Sequence, residues 1–194
     1  TEDQIHDGPP HESNFGYAYA KRMVDVHVRS LRQQHNRKYI CAIPNNLYGP
    51  FDNFDLQGGH VVPAIIRKIY EAKTAAQVPS FWGTGSPLRE FTYSEDIAEI
   101  LLLLMEGYEG RSPINIGTPT EISIKQLVCK ISEILGYKGP IDWNAKMPEG
   151  QFRKPSSNEK FLGLFPNYGY TSLEEGLQKT CDWFLENYPN IRGM

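Results

Sequence analysis

The sequence contains no apolar run long enough to cross a membrane. A transmembrane helix needs about 20 consecutive apolar residues, whereas the longest run here, residues 100–105, lies inside an ordinary helical pattern. The first four residues are acidic, with neither an initiator Met nor the apolar core of a signal peptide. We therefore expect no membrane partner, and we expect the chain to begin in the middle of a longer protein.

The sequence also has no excess of positive charge. There are 20 Lys and Arg residues against 23 Asp and Glu residues, and the net charge is -3 at pH 7. Proteins that bind nucleic acid usually show a basic excess, so we expect no nucleic-acid partner. Any anionic ligand has to be met by a local group of cationic side chains.

Cysteine is rare and scattered. The three cysteines, Cys41, Cys129 and Cys181, stand alone within apolar patterns, without the close spacing of zinc or redox motifs. We expect three buried free thiols, which fits the reducing cytosol. The histidines form no ligand pattern either, so the sequence predicts no metal site.

A glycine-rich dinucleotide-binding turn is missing. Such a site needs a first strand, the turn, and a helix whose N-terminus faces the pyrophosphate. No such unit precedes Tyr17. Gly83-Thr-Gly85 has the wrong context, because it lies between two predicted strands and the third glycine is absent.

What is present is an alternation of strands and helices, which predicts an α/β fold. A polar cap at Ser13 or Asn14 precedes the first predicted helix, and capping boxes begin at Ser123 and Ser172. The predicted helices cover residues 15–34, 61–73, 95–107, 124–135 and 173–188. The predicted strands cover residues 39–43, 78–82, 90–93, 113–116 and 141–143, with a loop at 45–59 and a turn at 83–87.

The first segment with a chemical signature is Tyr17-Ala-Tyr-Ala-Lys21. A spacing of four residues puts Tyr17 and Lys21 on one face of a helix. A nearby ammonium group lowers the pKa of a phenol from its usual value of about 10. The pair is then suited to exchange a proton with a substrate oxygen. A Tyr and a Lys on a solvated helix face give the same spacing, so the pattern alone leaves both interpretations open.

Five segments together resemble a known family. Asn14-Phe-Gly-Tyr-Ala-Tyr-Ala-Lys-Arg-Met resembles the active-site helix of extended short-chain dehydrogenases, and Ile43-Pro-Asn-Asn-Leu-Tyr-Gly-Pro-Phe-Asp-Asn-Phe54 resembles their strand and loop behind the nicotinamide. Three more follow in the order seen in GDP-L-fucose synthases: His60-Val-Val-Pro-Ala, Phe81-Trp-Gly-Thr-Gly-Ser-Pro-Leu-Arg-Glu-Phe and Pro148-Glu-Gly-Gln-Phe-Arg-Lys154. The resemblance covers residues 14–154.

The resemblance implies an activity and catalytic residues. Such enzymes epimerise GDP-4-keto-6-deoxy-D-mannose at C3 and C5 and reduce it at C4 with NADPH, giving GDP-L-fucose. By position, Tyr17 is the proton donor to the C4 oxygen, and Lys21 tunes Tyr17 and bonds the nicotinamide ribose. His60 is the acid for the epimerisations. The resemblance also implies a cytoplasmic homodimer.

Further residues follow from the same resemblance as ligand contacts. The cofactor NADP(H) would meet Pro44, Asn45, Asn46 and Leu47 as well as Lys21 and His60. The GDP-sugar would meet Lys68, Trp82, Arg89, Glu149 and Lys154. Lys68 stands where relatives often carry Arg, so it offers charge without the two-pronged geometry of a guanidinium.

The implied fold is the C-terminal part of a Rossmann-like extended short-chain dehydrogenase with its small α/β substrate domain. Residues 1–59 would be a remnant of the Rossmann domain, and residues 60–194 mainly the GDP-sugar domain, with a strand near 113–117 returning to the Rossmann sheet. The family's Ser-x-Cys segment is absent before Tyr17. We therefore expect a fragment that is inactive alone. Another nucleotide-sugar epimerase or reductase, or a non-catalytic GDP-sugar-binding module, remain the alternatives.

Overall fold

The computed structural model describes residues 1–194 apart from the side chain of Ser13, and it shows the expected α/β fold. The helices are α1 (Phe15–His35), α2 (Val61–Thr74), α3 (Ser94–Gly107), α4 (Ile124–Ile134), α5 (Glu159–Leu164) and α6 (Leu173–Asn187). The strands are β1 (Ala42–Ile43), β2 (Asn46–Tyr48), β3 (Ser80–Trp82), β4 (Leu88–Tyr93), β5 (Ile114–Asn115), β6 (Glu121–Ser123) and β7 (Asp142–Asn144).

The chain forms two compact units, and each is built from three separate stretches of sequence. The first unit contains residues 1–45, 97–119 and 156–169, and the second contains residues 46–96, 120–155 and 170–194. These units are defined by contacts within the chain and not by ligands. The expected division of roles between residues 1–59 and 60–194 therefore stays a prediction.

The first unit is organised by the parallel pairing of β1 with β5, in which Ala42 lies opposite Ile114. The predicted parallel strand at 39–43 is thus confirmed, although regular pairing covers only its last two residues. The neighbouring α1 begins at Phe15 and ends where Asn36 adopts a left-handed conformation with φ 49°. Among the residues of α1 whose side chains are described, Asp25 alone is buried.

The burial of Asp25 ties the start of the chain to α1. Its Oδ2 atom lies 2.7 Å from His6 Nε2 and 2.7 Å from Arg29 Nη2, while its Oδ1 atom accepts no hydrogen bond within the described chain. Arg22 adds a second tie, because its Nη1 donates to the carbonyl oxygen of Gly8 over 2.7 Å. Residues 1–14 are therefore held against the helix by charged groups.

The second unit contains a mixed sheet and a separate strand pair. In the sheet, β4 lies between β2, which is parallel to it, and β6, which is antiparallel. The pair consists of β3 and β7, which run parallel. The prediction of an unbroken loop over 45–59 was wrong, because Asn46–Tyr48 pairs with β4. The local composition is rich in turn-forming residues, and a three-residue strand depends on a partner more than 40 residues away.

Three helices of the second unit enclose its apolar core. The spacing of Leu127, Val128 and Ile131 places all three on the buried face of α4. The predicted cap of this helix is confirmed, since Ser123 Oγ accepts a hydrogen bond from the backbone N–H of Gln126 over 3.1 Å. Buried side chains from α2 and α6 complete the core, among them Ile66, Ile69, Leu177 and Phe184.

The expectation of three buried thiols was wrong for one of them. Cys181 is buried, and burial raises the pKa of its thiol to about 12. Cys41 is half-buried, whereas Cys129 is exposed. A helix turns about 100° per residue, so Cys129 points away from the core that buries its neighbour Val128.

Across the described residues, no helix combines the length and the apolar character that a bilayer crossing needs.

We predict that the core around α4 dominates the stability of the second unit. Leu127 is fully buried, so Leu127→Ala should lower the free energy of unfolding by about 2–5 kcal/mol. Leu185 is 46% exposed on α6 of the same unit, and Leu185→Ala should change this free energy by no more than about 0.5 kcal/mol. Urea denaturation followed by circular dichroism measures both, and equal losses would contradict this assignment of the core.

Candidate active site

Tyr17 and Lys21 lie together on the first turns of α1. The Lys21 ammonium nitrogen is 5.5 Å from the centroid of the Tyr17 ring. The Tyr17 side chain is 62% exposed, so its hydroxyl is open to a ligand. The sequence spacing therefore places a phenol and an ammonium group next to each other on an accessible surface of the first unit.

The segment expected behind the nicotinamide is held by its two asparagines. In the first unit, Asn45 Nδ2 donates to the carbonyl oxygen of Thr118 over 2.8 Å. In the second unit, Asn46 Nδ2 donates to the carbonyl oxygen of Glu90 over 2.7 Å. Pro44 and Leu47 are exposed. The amide nitrogens thus serve the local structure, and the exposed Pro44 and Leu47 are the parts of this segment most open to a ligand.

His60 is the N-cap residue of α2, and its imidazole is 77% exposed. Its Nδ1 atom lies 3.3 Å from Oδ1 of Asp52, whose carboxylate is only 18% exposed. Asp52 also accepts a hydrogen bond from the backbone N–H of Asn53 over 2.7 Å. Asp52 can therefore orient the ring through Nδ1. Sequence reasoning gave this carboxylate no role, although it lies in the same quoted segment as the cofactor loop.

The turn before His60 is rigidly built. The Asp55 carboxylate accepts hydrogen bonds from the backbone N–H groups of Gln57 and Gly58, and these bonds lower the pKa of Asp55. A Cβ atom at Gly59 would meet the carbonyl oxygen of Asp55 at 2.3 Å, so only glycine fits there. The position of His60 thus follows from the backbone of the preceding loop.

Strand β3 presents Trp82 to solvent. Alternation along the strand buries Phe81 and leaves Trp82 62% exposed, although an isolated Trp is more often part of a core. Lys68 on α2 approaches the same strand, where its ammonium group donates to the carbonyl oxygen of Ser80 over 2.9 Å and lies 5.0 Å from the Phe81 ring centroid. Burial lowers the pKa of Lys68.

The turn between β3 and β4 closes around Glu149. Gly83 and Gly85 have φ values of 72° and 75°, and a Cβ atom there would overlap the side chains of Glu149 and Trp143 respectively. The Glu149 carboxylate accepts a hydrogen bond from the backbone N–H of Thr84. The glycines are needed for close approach within this turn, as expected from their position between two strands.

Arg89 ties β4 to the segment that contains Glu149 and Lys154. Its Nη2 atom donates to the carbonyl oxygen of Gln151 over 2.7 Å, and its Nη1 atom donates to that of Leu88 over 2.6 Å. Lys154 is exposed. The second unit thus brings two of the quoted segments together, the one at 81–91 and the one at 148–154. Tyr17 and Lys21 belong to the first unit.

Within the described residues, no group of three or more His, Cys, Asp or Glu side chains is arranged to hold a metal ion.

Comparison with known proteins defines the class. Residues 1–117 match the NAD dependent epimerase/dehydratase family, and the chain belongs to that family. Over nearly its whole length it is also similar to GDP-L-fucose synthases, which confirms the resemblance seen in the motifs. It is 40% identical over 193 residues to the GDP-L-fucose synthase of Dictyostelium discoideum, covering 98% of this chain and 60% of that one.

Two further comparisons agree. The chain is 36% identical over 204 residues to the GDP-L-fucose synthase of Escherichia coli (strain K12), covering 100% of this chain and 63% of the relative. The crystal structure of a GDP-L-fucose synthetase from Naegleria fowleri bound to NADP matches with a TM-score of 0.95 at 39% identity, covering 99% of this chain and 62% of that one. The chain thus spans about three-fifths of the length of these relatives.

We predict a pH-sensitive contact at the turn around Glu149. Hydrogen bonds from the Thr84 hydroxyl and backbone N–H lower the pKa of Glu149 below 4.5. The contact therefore stabilises the folded turn above pH 4.5, and this stabilisation is lost as the pH falls through the lowered pKa. Thr84→Val removes the hydroxyl and should raise the pKa of Glu149 toward its ordinary value.

Carbon-13 NMR of the glutamate carboxyl groups measures this change. Glu121 is the internal control, because the Arg153 guanidinium lowers its pKa independently of Thr84. An unchanged Glu149 titration in Thr84→Val, or a shift of both carboxyls by the same amount, would contradict the assigned cause.

Proposed function

We propose that this chain carries part of a GDP-L-fucose synthase, which converts GDP-4-keto-6-deoxy-D-mannose to GDP-L-fucose by epimerisation at C3 and C5 and reduction at C4. The observation that carries the proposal is the exposed Tyr17 phenol with the Lys21 ammonium group 5.5 Å from its ring. The support from sequence is the 40% identity to a synthase across 98% of the chain.

The epimerisations need groups that exchange protons with carbon. The C4 carbonyl of the substrate makes the hydrogens at C3 and C5 acidic, so removal and return of a proton on the opposite face inverts each carbon. An imidazole titrates near neutrality and is suited to return that proton. We assign this role to His60, with Asp52 holding its Nδ1 and so fixing the orientation of the ring.

The reduction needs a proton for the C4 oxygen. Bound NADPH supplies the hydride for C4. Tyr17 donates the proton, and the positive charge of Lys21 lies 5.5 Å from the centroid of its ring. A hydroxyl aimed at the same oxygen also stabilises the enolate formed during epimerisation. One phenol thus serves both reactions.

Of the residues assigned to NADP(H), some present accessible side chains to a ligand, and others use their side chains within the fold. The Lys21 ammonium group is exposed and available for a ribose hydroxyl, and His60 is exposed as well. Pro44 and Leu47 offer accessible apolar surface, whereas Asn45 and Asn46 use their amide nitrogens within the fold. We therefore assign Pro44 and Leu47 to contact with the nicotinamide, and Asn45 and Asn46 to holding the backbone of this segment in place.

The GDP-sugar is assigned to the second unit. Trp82 offers an exposed ring for stacking on a nucleotide base, and Glu149 offers a carboxylate for the guanine edge. Lys68 and Arg89 donate to backbone carbonyls, which are neutral and leave the positive charges in place. These two side chains and Lys154 therefore attract the diphosphate.

The proposal predicts separable losses of activity in the protein that carries these residues. Tyr17→Phe should lower the rate of reduction by about 10²–10⁴-fold, because the proton donor to C4 is lost. Tyr19→Phe is the matched control on the same helix, where Tyr19 is 43% exposed, and it should stay near the wild-type rate. NADPH consumption with GDP-4-keto-6-deoxy-D-mannose measures both.

His60→Asn should slow the incorporation of deuterium from heavy water at C3 and C5, as followed by mass spectrometry. Equal activity of Tyr17→Phe and Tyr19→Phe would overturn the assignment. If the chain bound GDP in calorimetry, and no protein carrying it turned over the substrate, the GDP-sugar-binding module would replace the enzyme.

We also propose a cytoplasmic homodimer that uses α1. Several large apolar side chains of this helix are exposed, namely Phe15, Tyr19, Met23, Val24 and Val26. Such a surface is typical of an interaction site. Met23→Lys should therefore weaken self-association in light scattering, whereas Met194→Lys should not, although both side chains are 57% exposed. A monomeric wild type at high concentration would contradict this use of the helix.

A further inference from the structure

A polar pocket lies in the first unit, at the C-terminal end of α1. It has a volume of about 220 Å³ and lies between the end of that helix and the segment joining α3 to β5. Its lining residues are Arg32, Asn36, Arg37, Lys38, Glu109 and Arg111. A water molecule occupies about 30 Å³ in the liquid, so the pocket has room for a phosphate or diphosphate group.

The charge of this pocket is opposite to that of the chain. Four cationic side chains, from Arg32, Arg37, Lys38 and Arg111, face a single carboxylate, that of Glu109. The whole chain carries a net charge of -3. A concave site of one sign concentrates counter-ions of the other, so this pocket attracts anions although the protein as a whole repels them.

Arg32 is held in a fixed orientation at the pocket. Its Nη1 atom donates to the carbonyl oxygens of Tyr39 and Gly110 over 2.7 Å and 3.0 Å, and its Nη2 atom donates to that of Glu109 over 3.0 Å. A guanidinium has five N–H donors, so donors remain for a ligand. Because the three acceptors are neutral, its positive charge is not cancelled.

The carboxylate in the pocket does not block it. Glu109 pairs with Lys38 over 2.5 Å, and the Lys38 ammonium group lowers the pKa of Glu109. Both side chains are more than three-quarters exposed, and exposed ion pairs of this kind contribute little to stability. A dianion can therefore draw Lys38 away from Glu109 at small cost.

Within the first unit, the pocket is distant from Tyr17. Arg32 follows Tyr17 by 15 residues in α1, which corresponds to about 22 Å along the helix axis at 1.5 Å per residue. The Tyr17 phenol and the arginines of the pocket therefore cannot contact one phosphate group at the same time.

We propose that this pocket binds a phosphate or diphosphate group, held by Arg37 and Arg111 together with the fixed Arg32. Arginine suits this ligand because its planar fork bonds two phosphate oxygens at once. A purely structural role is the competing explanation, since cations near a helix C-terminus also neutralise its last carbonyls. That explanation predicts a change in stability without ligand binding.

Calorimetric titration with inorganic pyrophosphate at low salt tests the proposal. Arg37→Ala and Arg111→Ala should each weaken binding by about tenfold, which corresponds to about 1.4 kcal/mol. Arg111→Lys should bind with intermediate affinity, because it keeps the charge and loses the fork. Lys138→Ala removes an exposed charge outside the lining and is the matched control. Lys154→Ala removes the candidate diphosphate contact of the active site, and pyrophosphate binding to the pocket should survive it.

Several outcomes would overturn the proposal: no saturable binding in the millimolar range, equal weakening by Lys138→Ala, or loss of binding in Lys154→Ala alone. A stability change in the arginine variants without any pyrophosphate binding would assign them to helix capping.

Vesicles of phosphatidic acid form a second arm of the experiment. Vesicle binding that pyrophosphate displaces identifies a lipid headgroup as the source of phosphate, and pyrophosphate binding without vesicle binding identifies a soluble ligand.

Discussion

The candidate nucleotide site depends on how the 148–154 segment is tied to β4, and one of these ties is the guanidinium of Arg89. It joins a strand to a segment about sixty residues later by donating to the carbonyl oxygens of Leu88 and Gln151. The backbone N–H of Leu88 also donates to the carbonyl oxygen of Phe152 over 2.8 Å, and Arg153 pairs with Glu121 on β6. The Glu149 carboxylate in turn bonds the turn next to Trp82. These contacts together arrange three candidate ligand contacts, Trp82, Arg89 and Glu149.

The guanidinium of Arg89 also shows how a charged side chain can serve structure and binding together. The side chains of Arg89 and Lys68 both donate hydrogen bonds to backbone carbonyl oxygens. These acceptors are neutral, so they fix the geometry of the two side chains and leave the positive charges available. A ligand diphosphate then meets cations that are already ordered, so little side-chain entropy is lost on binding. For these residues, a structural role in the free protein and a role in the complex are compatible.

Much of the fold could be predicted from sequence because the signals are local. The capping box at Ser123 and the apolar spacing of α4 gave that helix nearly to the residue. Strands β2 and β6 were missed, since each has three residues and exists only through pairing with β4. Strand pairing is a property of distant segments, and no local pattern of a turn-rich stretch reveals it.

In the candidate site, too, the features that depend on local spacing could be predicted from sequence, and the features that depend on contacts between separate segments could not. The Tyr17–Lys21 pair follows from the period of a helix, so the spacing was enough. The exposure of Trp82 follows from alternation in a strand whose buried face is known only once β7 is paired with it. The partner of His60 was missed because seven residues of loop separate it from Asp52, and only the folded turn brings the two side chains together.

The buried carboxylate of Asp25 limits how this chain can be recombined with others. His6 supplies one of its two nitrogen partners from outside the helix, and Arg29 supplies the second from within it. A chimera that joined a foreign front half downstream of His6 would leave a desolvated carboxylate with half of its compensation. Domain exchange into this chain therefore has a natural junction upstream of that histidine, before α1 begins.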